Sequence, residues 1–360
     1  MKRATAEATQ RYAKRQGEHA RGFYRQALGL TLSSIGLGTY LGREDDTQDR
    51  AYTDAILAAV RGGVNVLDSA INYRLERSER AIGAALAALA ADGIDRSQIL
   101  VSTKAGYLPS RDPEAHFETQ ILPAGLARRE DLVSGCHCIA PAYLRHQLAK
   151  SLANLGLEAV DVYYLHNPEQ QVEELGPAIF RERMRAAFAA LEEEVAAGRI
   201  GVYGTATWNG YRVEAERPEH LDLAELVELA REVAGPDHHF RVVQLPYNVA
   251  MAEAYGAATQ TIDRRRVPLL EAAQHLGIAA FASASILQGR LARSLPADLR
   301  RAVPGFATDA QRALQFARSA PGVTAALVGM ARVAHVEENL ALLAMPPLSA
   351  DAVVGLFDQA

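Results

Sequence analysis

Residues 64–104 read VNVLDSAINYRLERSERAIGAALAALAADGIDRSQILVSTK. An apolar run at 64–67 breaks into a polar cluster of Asp68, Asn72 and Tyr73, and an alanine-rich segment with helical spacing follows. A second apolar run at 99–101 then ends in Lys104. The pattern is strand, helix, strand. Two strands that are apolar throughout, rather than alternating, suit a parallel sheet covered on both faces. Ionisable groups at the ends of such strands are unusual unless they meet at a site.

Outward from this stretch the same unit repeats. Helical spacing recurs at about 50–61, 79–91, 142–154, 180–197, 222–234, 266–276, 309–319 and 333–343. Short apolar runs lie between, at 35–38, 64–67, 99–102, 160–165, 200–204, 242–245, 278–281 and 325–328. Glycines at 62, 93, 156, 198 and 277 close helices where a left-handed cap is expected, and Pro141 and Pro268 open them. Eight strands alternating with eight helices fit a (β/α)8 TIM barrel better than an open doubly wound sheet. The segments after strands are long (108–141, 167–178, 206–221, 246–265 and 284–308), whereas those before strands are short. Long loops at the C-terminal face are where such a barrel builds its site.

Composition narrows the function classes. The chain has 360 residues, 49% of them hydrophobic, and no apolar stretch of the roughly 20 residues needed to cross a bilayer. The start, MKRATAEATQRYAKRQ, lacks the apolar core of a secretory signal, so a cytoplasmic location is expected. Residues 1–27 form a basic extension with seven Lys/Arg against two Glu, so with the whole chain at −5 the remainder carries −10. Interleaved Ala, Tyr and Gln suit a helix that docks on the body better than a nucleic-acid arm, and an acidic body argues against nucleic acid as partner. Residues 28–360 are expected to form a single barrel domain with no membrane partner, and nothing specifies an oligomeric state. The two cysteines, Cys136 and Cys138, flank His137. They are too close for a relaxed disulfide, and His146 is not at a zinc spacing, so reduced thiols in a loop and no metal are expected.

On the barrel reading, Asp68 and Tyr73 follow the second strand, Lys104 ends the third and His166 ends the fourth. A phenol with an ordinary pKa of about 10 is a poor acid at neutral pH. A nearby ammonium lowers that value, and Asp68 supplies the counter-ion that a buried lysine needs. A histidine beside them can orient a carbonyl oxygen. The set suits protonation of a carbonyl while another group delivers a hydride.

DSAINYRLERSERAIG, ILVSTKAGY and VDVYYLHNPE resemble the defining blocks of the aldo/keto reductase superfamily. IGLGTY, GRIGVYGTATW, VVQLPYN and VGMARVAHVEENL fit the same order, so the resemblance spans roughly residues 30–345. It implies a (β/α)8 barrel that reduces a small-molecule carbonyl with NADP, NAD being the alternative. It also implies Tyr73 as proton donor, Asp68 and Lys104 as its tuning pair, and His166 as the orienting group. No GxGxxG follows any strand, so the cofactor rests on the resemblance alone. By matched position Thr39 and Tyr40 lie near the nicotinamide and Gln244 bonds its carboxamide. Tyr247 stacks on a ring or sits in the core. Ser285, Ile286, Leu287, Gln288 and Gly289 pass the pyrophosphate. Gly329, Ala331, His335, Glu338 and Asn339 hold the adenosine end, close to a helix N-terminus at about 332.

Departures from the family pattern fall mostly on the cofactor half. Ala206-Thr207 replaces Ser-Asn, and Ala284-Ser285-Ile286 replaces Ser-Pro-Leu. Gly329 and His335 stand where Lys or Arg usually meets the 2′-phosphate, leaving Arg290 and Arg332 as basic substitutes. Arg74 replaces a common Gly and is expected at the pocket rim, with Tyr107, His116, Phe117 and Trp208 as pocket walls. A cofactor-binding regulatory barrel with little turnover, as potassium-channel β subunits suggest, is the alternative; the intact set of four favours the enzyme. A TIM-barrel hydrolase lacks the paired carboxylates or metal ligands it would need.

Overall fold

The computed structural model describes residues 2–357. Eight parallel strands close into one barrel: β1 (Ile35–Gly38), β2 (Val66–Asp68), β3 (Leu100–Ala105), β4 (Val160–His166), β5 (Ile200–Ala206), β6 (Phe240–Pro246), β7 (Ala279–Ser283) and β8 (Val323–Gly329). The helices that return the chain are α1 (Asp46–Arg61), α2 (Arg77–Ala91), α3 (Pro141–Leu155), α4 (Glu169–Ala196), α5 (Leu223–Ala234), α6 (Leu269–His275), α7 (Asp309–Ser319) and α8 (Val333–Leu340). The alternation follows from the sequence. Strand residues are buried on both faces, while helices bury one stripe, as Tyr52, Ala55, Ile56, Ala59 and Val60 do on α1. Asp45, Asp222 and Thr308 cap helix N-termini by accepting from backbone N–H groups of the first turn.

Two sequence expectations shift. Gly62 does not adopt a left-handed cap (φ −88); a Cβ there would lie 2.3 Å from Leu340 Cδ1, so its smallness serves the packing of α1 against α8. Part of the 167–178 segment is helical, because α4 starts at Glu169 and is only interrupted by Gly176 (φ 76, ψ 168) before Pro177.

The barrel interior is filled rather than hollow. Val66, Leu100, Val162, Tyr164, Val242, Phe281, Ala325 and Leu327 pack along its axis. Leu30 and Leu32 join them from an antiparallel hairpin, Tyr24–Ala27 with Leu30–Ser33, that closes the N-terminal end. The basic extension therefore docks: helix Ala6–Arg15 buries Ala8, Tyr12 and Ala13, and the Arg25 guanidinium donates to the carbonyls of Arg318 and Val323. Ala4 N–H and Arg96 both reach the Asp161 carboxylate at 2.7 Å. With that end sealed, the site belongs at the opposite, C-terminal end. Among the described residues no helix is long and apolar enough to cross a membrane.

Candidate active site

Register brings the polar strand ends together. Asp68 stands opposite Gly38 and Ser102, and Lys104 opposite Tyr164. The Asp68 carboxylate accepts from Lys104 Nζ at 2.6 Å, Ser102 Oγ at 2.7 Å and Gln244 Nε2 at 2.9 Å. Lys104 Nζ also donates to the Ser69 carbonyl at 2.7 Å. Both side chains are withdrawn from water (0% and 6% exposed), so the pair persists only because each charge is matched and hydrogen-bonded.

Tyr73 hangs from the turn after β2, its ring centroid 4.9 Å from Lys104 Nζ and edge-on to Tyr40 and His166. The sequence led us to expect a phenol lowered by the ammonium. Instead burial, reinforced by Asp68, Tyr40 and Tyr107, holds it well above its ordinary value. Burial is the largest cause, and Lys104 gives two of its three N–H donors to Asp68 and Ser69. His166, at the end of β4, is pushed well below the usual histidine range by burial, with Lys104 and His137 adding to the effect. It is a neutral imidazole, and its buried Nδ1 has no partner among the described residues.

These groups floor a cavity of about 800 Å³ at the C-terminal end. Asp68, Tyr73 and His166 line it, while Lys104 lies just beneath. One lobe is walled by Tyr40, Leu41, Asn72, Tyr107, Asn167 and Trp208. Tyr40 and Trp208 keep 53% and 41% of their surface exposed, so they are free to receive a ligand. The other lobe runs between β7 and α8. There Thr39, Gln244, Ser285, Ile286, Gln288, Gly289, Gly329, Ala331, His335, Glu338 and Asn339 all stand at the cavity wall. Gln244 differs in its partner, since its amide is engaged by Asp68.

Several expected residues are placed elsewhere. Tyr247 is fully buried and stacks on Phe316 (5.4 Å, 12°), so it belongs to the core. Leu287 packs on the small cluster of Leu291, Leu295 and Ala313. Arg290 and Arg332 are exposed and away from the cavity; Arg293, a turn beyond Arg290, lines it instead. Phe117 is buried in a separate cluster with Leu108, Ile121, Cys138 and Tyr143 inside the 108–141 segment, and His116 beside it is outside the cavity. Arg74 is not at the rim: its side chain is 1% exposed, salt-bridged to Asp49, and donates to the Arg43 carbonyl at 2.8 Å. It opens a run of three left-handed residues, Arg74, Leu75 and Glu76 (φ 50, 54 and 68). Cys136 and Cys138 are free thiols, both raised by burial, Cys138 to about 12. His137 between them is completely buried.

The second lobe fits an extended dinucleotide on the residues present. Paired Gly38 and Gly329 leave bare backbone, since a Cβ at either would have nothing closer than 3.9 Å. Helix α8 begins there without a side-chain cap, leaving N–H groups for an anion. Thr207 Oγ1 and Asn339 Oδ1, on residues that line the cavity, are buried without partners among the described residues. Ser102, Asn167 and Arg293 escaped the sequence reading, and Asn72 and His137 were noted there without a role in the site. Ser102 was within reach of it, standing two residues before Lys104 on the same strand face.

The family model for the aldo/keto reductase family matches residues 34–299. The chain is 27% identical over 252 residues to the NADH-specific methylglyoxal reductase of Escherichia coli (strain K12), spanning 66% of this chain and 69% of that protein. It is 31% identical over 209 residues to the D-threo-aldose 1-dehydrogenase of a Pseudomonas species, spanning 55% and 57%. Its fold is similar to that of an aldo/keto reductase from Klebsiella pneumoniae solved with NADP and acetate, with TM-score 0.64, 20% identity and coverage of 94% and 95% of the two chains.

Proposed function

The chain belongs to the aldo/keto reductase family and is an oxidoreductase, and on that premise we propose that it reduces an aldehyde or ketone to the alcohol with NADP as cofactor. The observation that carries the proposal is the meeting of Tyr73 and His166 at the cavity floor over the buried Asp68–Lys104 pair. Thr39, Gln244 and the 285–289 loop would hold the nicotinamide cofactor, which would supply the hydride when bound. His166, a neutral ring, donates an N–H to the carbonyl oxygen and fixes its direction. Tyr73, kept protonated by burial, passes its hydroxyl proton to the oxygen as negative charge develops there. The phenolate left behind lies beside the Lys104 ammonium, which favours the charged form at that moment. Asp68 keeps the ammonium in place. Tyr40, Leu41 and Trp208 give the substrate lobe exposed apolar surface that a bound substrate would cover, displacing water that competes for the proton.

NADP is favoured over NAD by Arg293. It lines the cavity, as His335 does, and, among the described residues, has no carboxylate partner to neutralise it.

A panel of aldehydes and ketones followed by nicotinamide absorbance tests the reading. Tyr73→Phe is expected to lower reduction by about 10²–10⁴-fold while nucleotide affinity stays within two-fold. Undiminished turnover in that variant would overturn the proton-donor role. Tight nucleotide binding by the natural chain with no turnover on any carbonyl would favour the regulatory-barrel alternative. Tighter binding of NADH than NADPH would overturn the NADP assignment.

A further inference from the structure

The segment Cys136-His137-Cys138 takes no part in the proton chemistry, yet it delivers a buried imidazole to the back of the site. β3 ends at Ala105, paired with Leu165 of β4. The next residue, Gly106, turns away at φ 128 and gives its N–H to Gln147 Oε1 at 2.8 Å. Into the space this leaves comes the ring of His137, whose Nε2 lies 2.7 Å from the carbonyl oxygen of His166. A Cβ on residue 106 would sit 2.6 Å from that nitrogen, so only glycine leaves room for the contact.

A carbonyl can only accept, so His137 Nε2 carries the proton and its Nδ1 accepts from Gln171 Nε2 at 2.9 Å. Gln171 Oε1 in turn accepts from Arg183 at 2.8 Å. The chain of donors is complete from α4 to the His166 peptide. On the other flank Asn167, at φ 47, donates its N–H to the Ala206 carbonyl at 2.6 Å and its Nδ2 to Tyr107 Oη at 3.1 Å. The ring of His166 has no such support: its Nδ1 is bonded to nothing among the described residues. Histidines that act on substrates are ordinarily oriented through the second ring nitrogen. Here that task falls to the backbone.

We infer that His137 is a positioning residue for the reduction: through the His166 carbonyl it sets where the His166 ring stands in the substrate lobe. The inference rests on the carbonyl-reductase reading above, and the natural chain's turnover on the carbonyl panel decides that reading before any variant is made. His137→Phe removes the donor, whereas His137→Gln keeps an N–H near the same place. Phe is expected to lower kcat by about 10–100-fold with KM and nucleotide affinity within three-fold, and Gln to recover kcat to within about three-fold of the natural chain. A folded His137→Phe with kcat within two-fold of the natural chain would overturn the inference. So would equal losses for Phe and Gln at unchanged melting temperature. If Phe does not fold, Gln alone decides: near-natural kcat supports the inference, a ten-fold loss overturns it. A readout independent of turnover is the nitrogen chemical shifts of His166 in ¹⁵N-histidine-labelled protein. They are expected to move in His137→Phe and to stay in His137→Gln; unmoved shifts in Phe would overturn the inference.

Discussion

Breaking the Asp68–Lys104 pair should cost unequal amounts depending on which partner is removed. Lys104→Met leaves the carboxylate with two of its three donors, Ser102 Oγ at 2.7 Å and Gln244 Nε2 at 2.9 Å. Asp68→Asn leaves a fully buried ammonium with only neutral acceptors, the Ser69 carbonyl and the new amide oxygen, and no counter-charge. Removing one member of a buried pair costs about 3–5 kcal/mol, so Lys104→Met is expected near about 3 and Asp68→Asn near about 5 kcal/mol. The double variant Asp68→Asn/Lys104→Met buries no charge. It should therefore be about 3 kcal/mol more stable than the sum of the single losses requires. Urea unfolding at pH 7, followed by far-ultraviolet circular dichroism on all four proteins, measures each term. Single losses below about 1 kcal/mol, or effects additive to within about 0.5 kcal/mol, would refute the claim that the two charges are mutually dependent.

Two further outcomes follow from groups near the site. His137 is held neutral by burial at a pKa of about 4. The unfolded chain therefore takes up the proton first, and stability present above about pH 6.5 is lost as pH falls towards 4, by up to about 3 kcal/mol from this residue; His137→Gln should remove that share from unfolding curves recorded between pH 7 and 4.5, and an unchanged slope would count against it. Arg74 combines a left-handed backbone (φ 50) with a buried ion pair to Asp49. Arg74→Gly and Arg74→Ala both lose the pair, but only glycine relieves the backbone, so Ala should be the less stable by about 1 kcal/mol in urea unfolding.

The barrel was legible because its strands are apolar on both faces and its helices recur between them at regular intervals. That fixes which strand ends are neighbours and so predicts the convergence of Asp68, Lys104 and His166. What could not be read was side-chain direction within loops. Arg290 and Arg293 are three residues apart in one turn, and only the backbone path of that turn, with Gln288 at φ 52, decides which faces the cavity. Phe117 and His116 looked like pocket walls because the 108–141 segment is long and polar. The segment instead folds around a small core of its own. Arg74 was misplaced for a related reason: its partner, Asp49, lies 25 residues earlier, in the first turn of α1. The direction of the Tyr73 shift was missed because composition shows that a lysine is near but not which of its neighbours it serves.

The hairpin that seals the barrel floor also sets an order on assembly. Arg25 meets carbonyl groups 293 and 298 residues further along the chain, and Arg318 reaches back to Ser34 across 284. On the ribosome this hairpin emerges close to 300 residues before the groups it will pack against. Closing so large a loop is entropically slow, so docking of the amino-terminal hairpin belongs late in folding, after the central strands have registered. Until then Leu30 and Leu32 have no interior to enter. A segment made early is thus finished late, and it stays open to chaperones and proteases while the rest of the barrel is made.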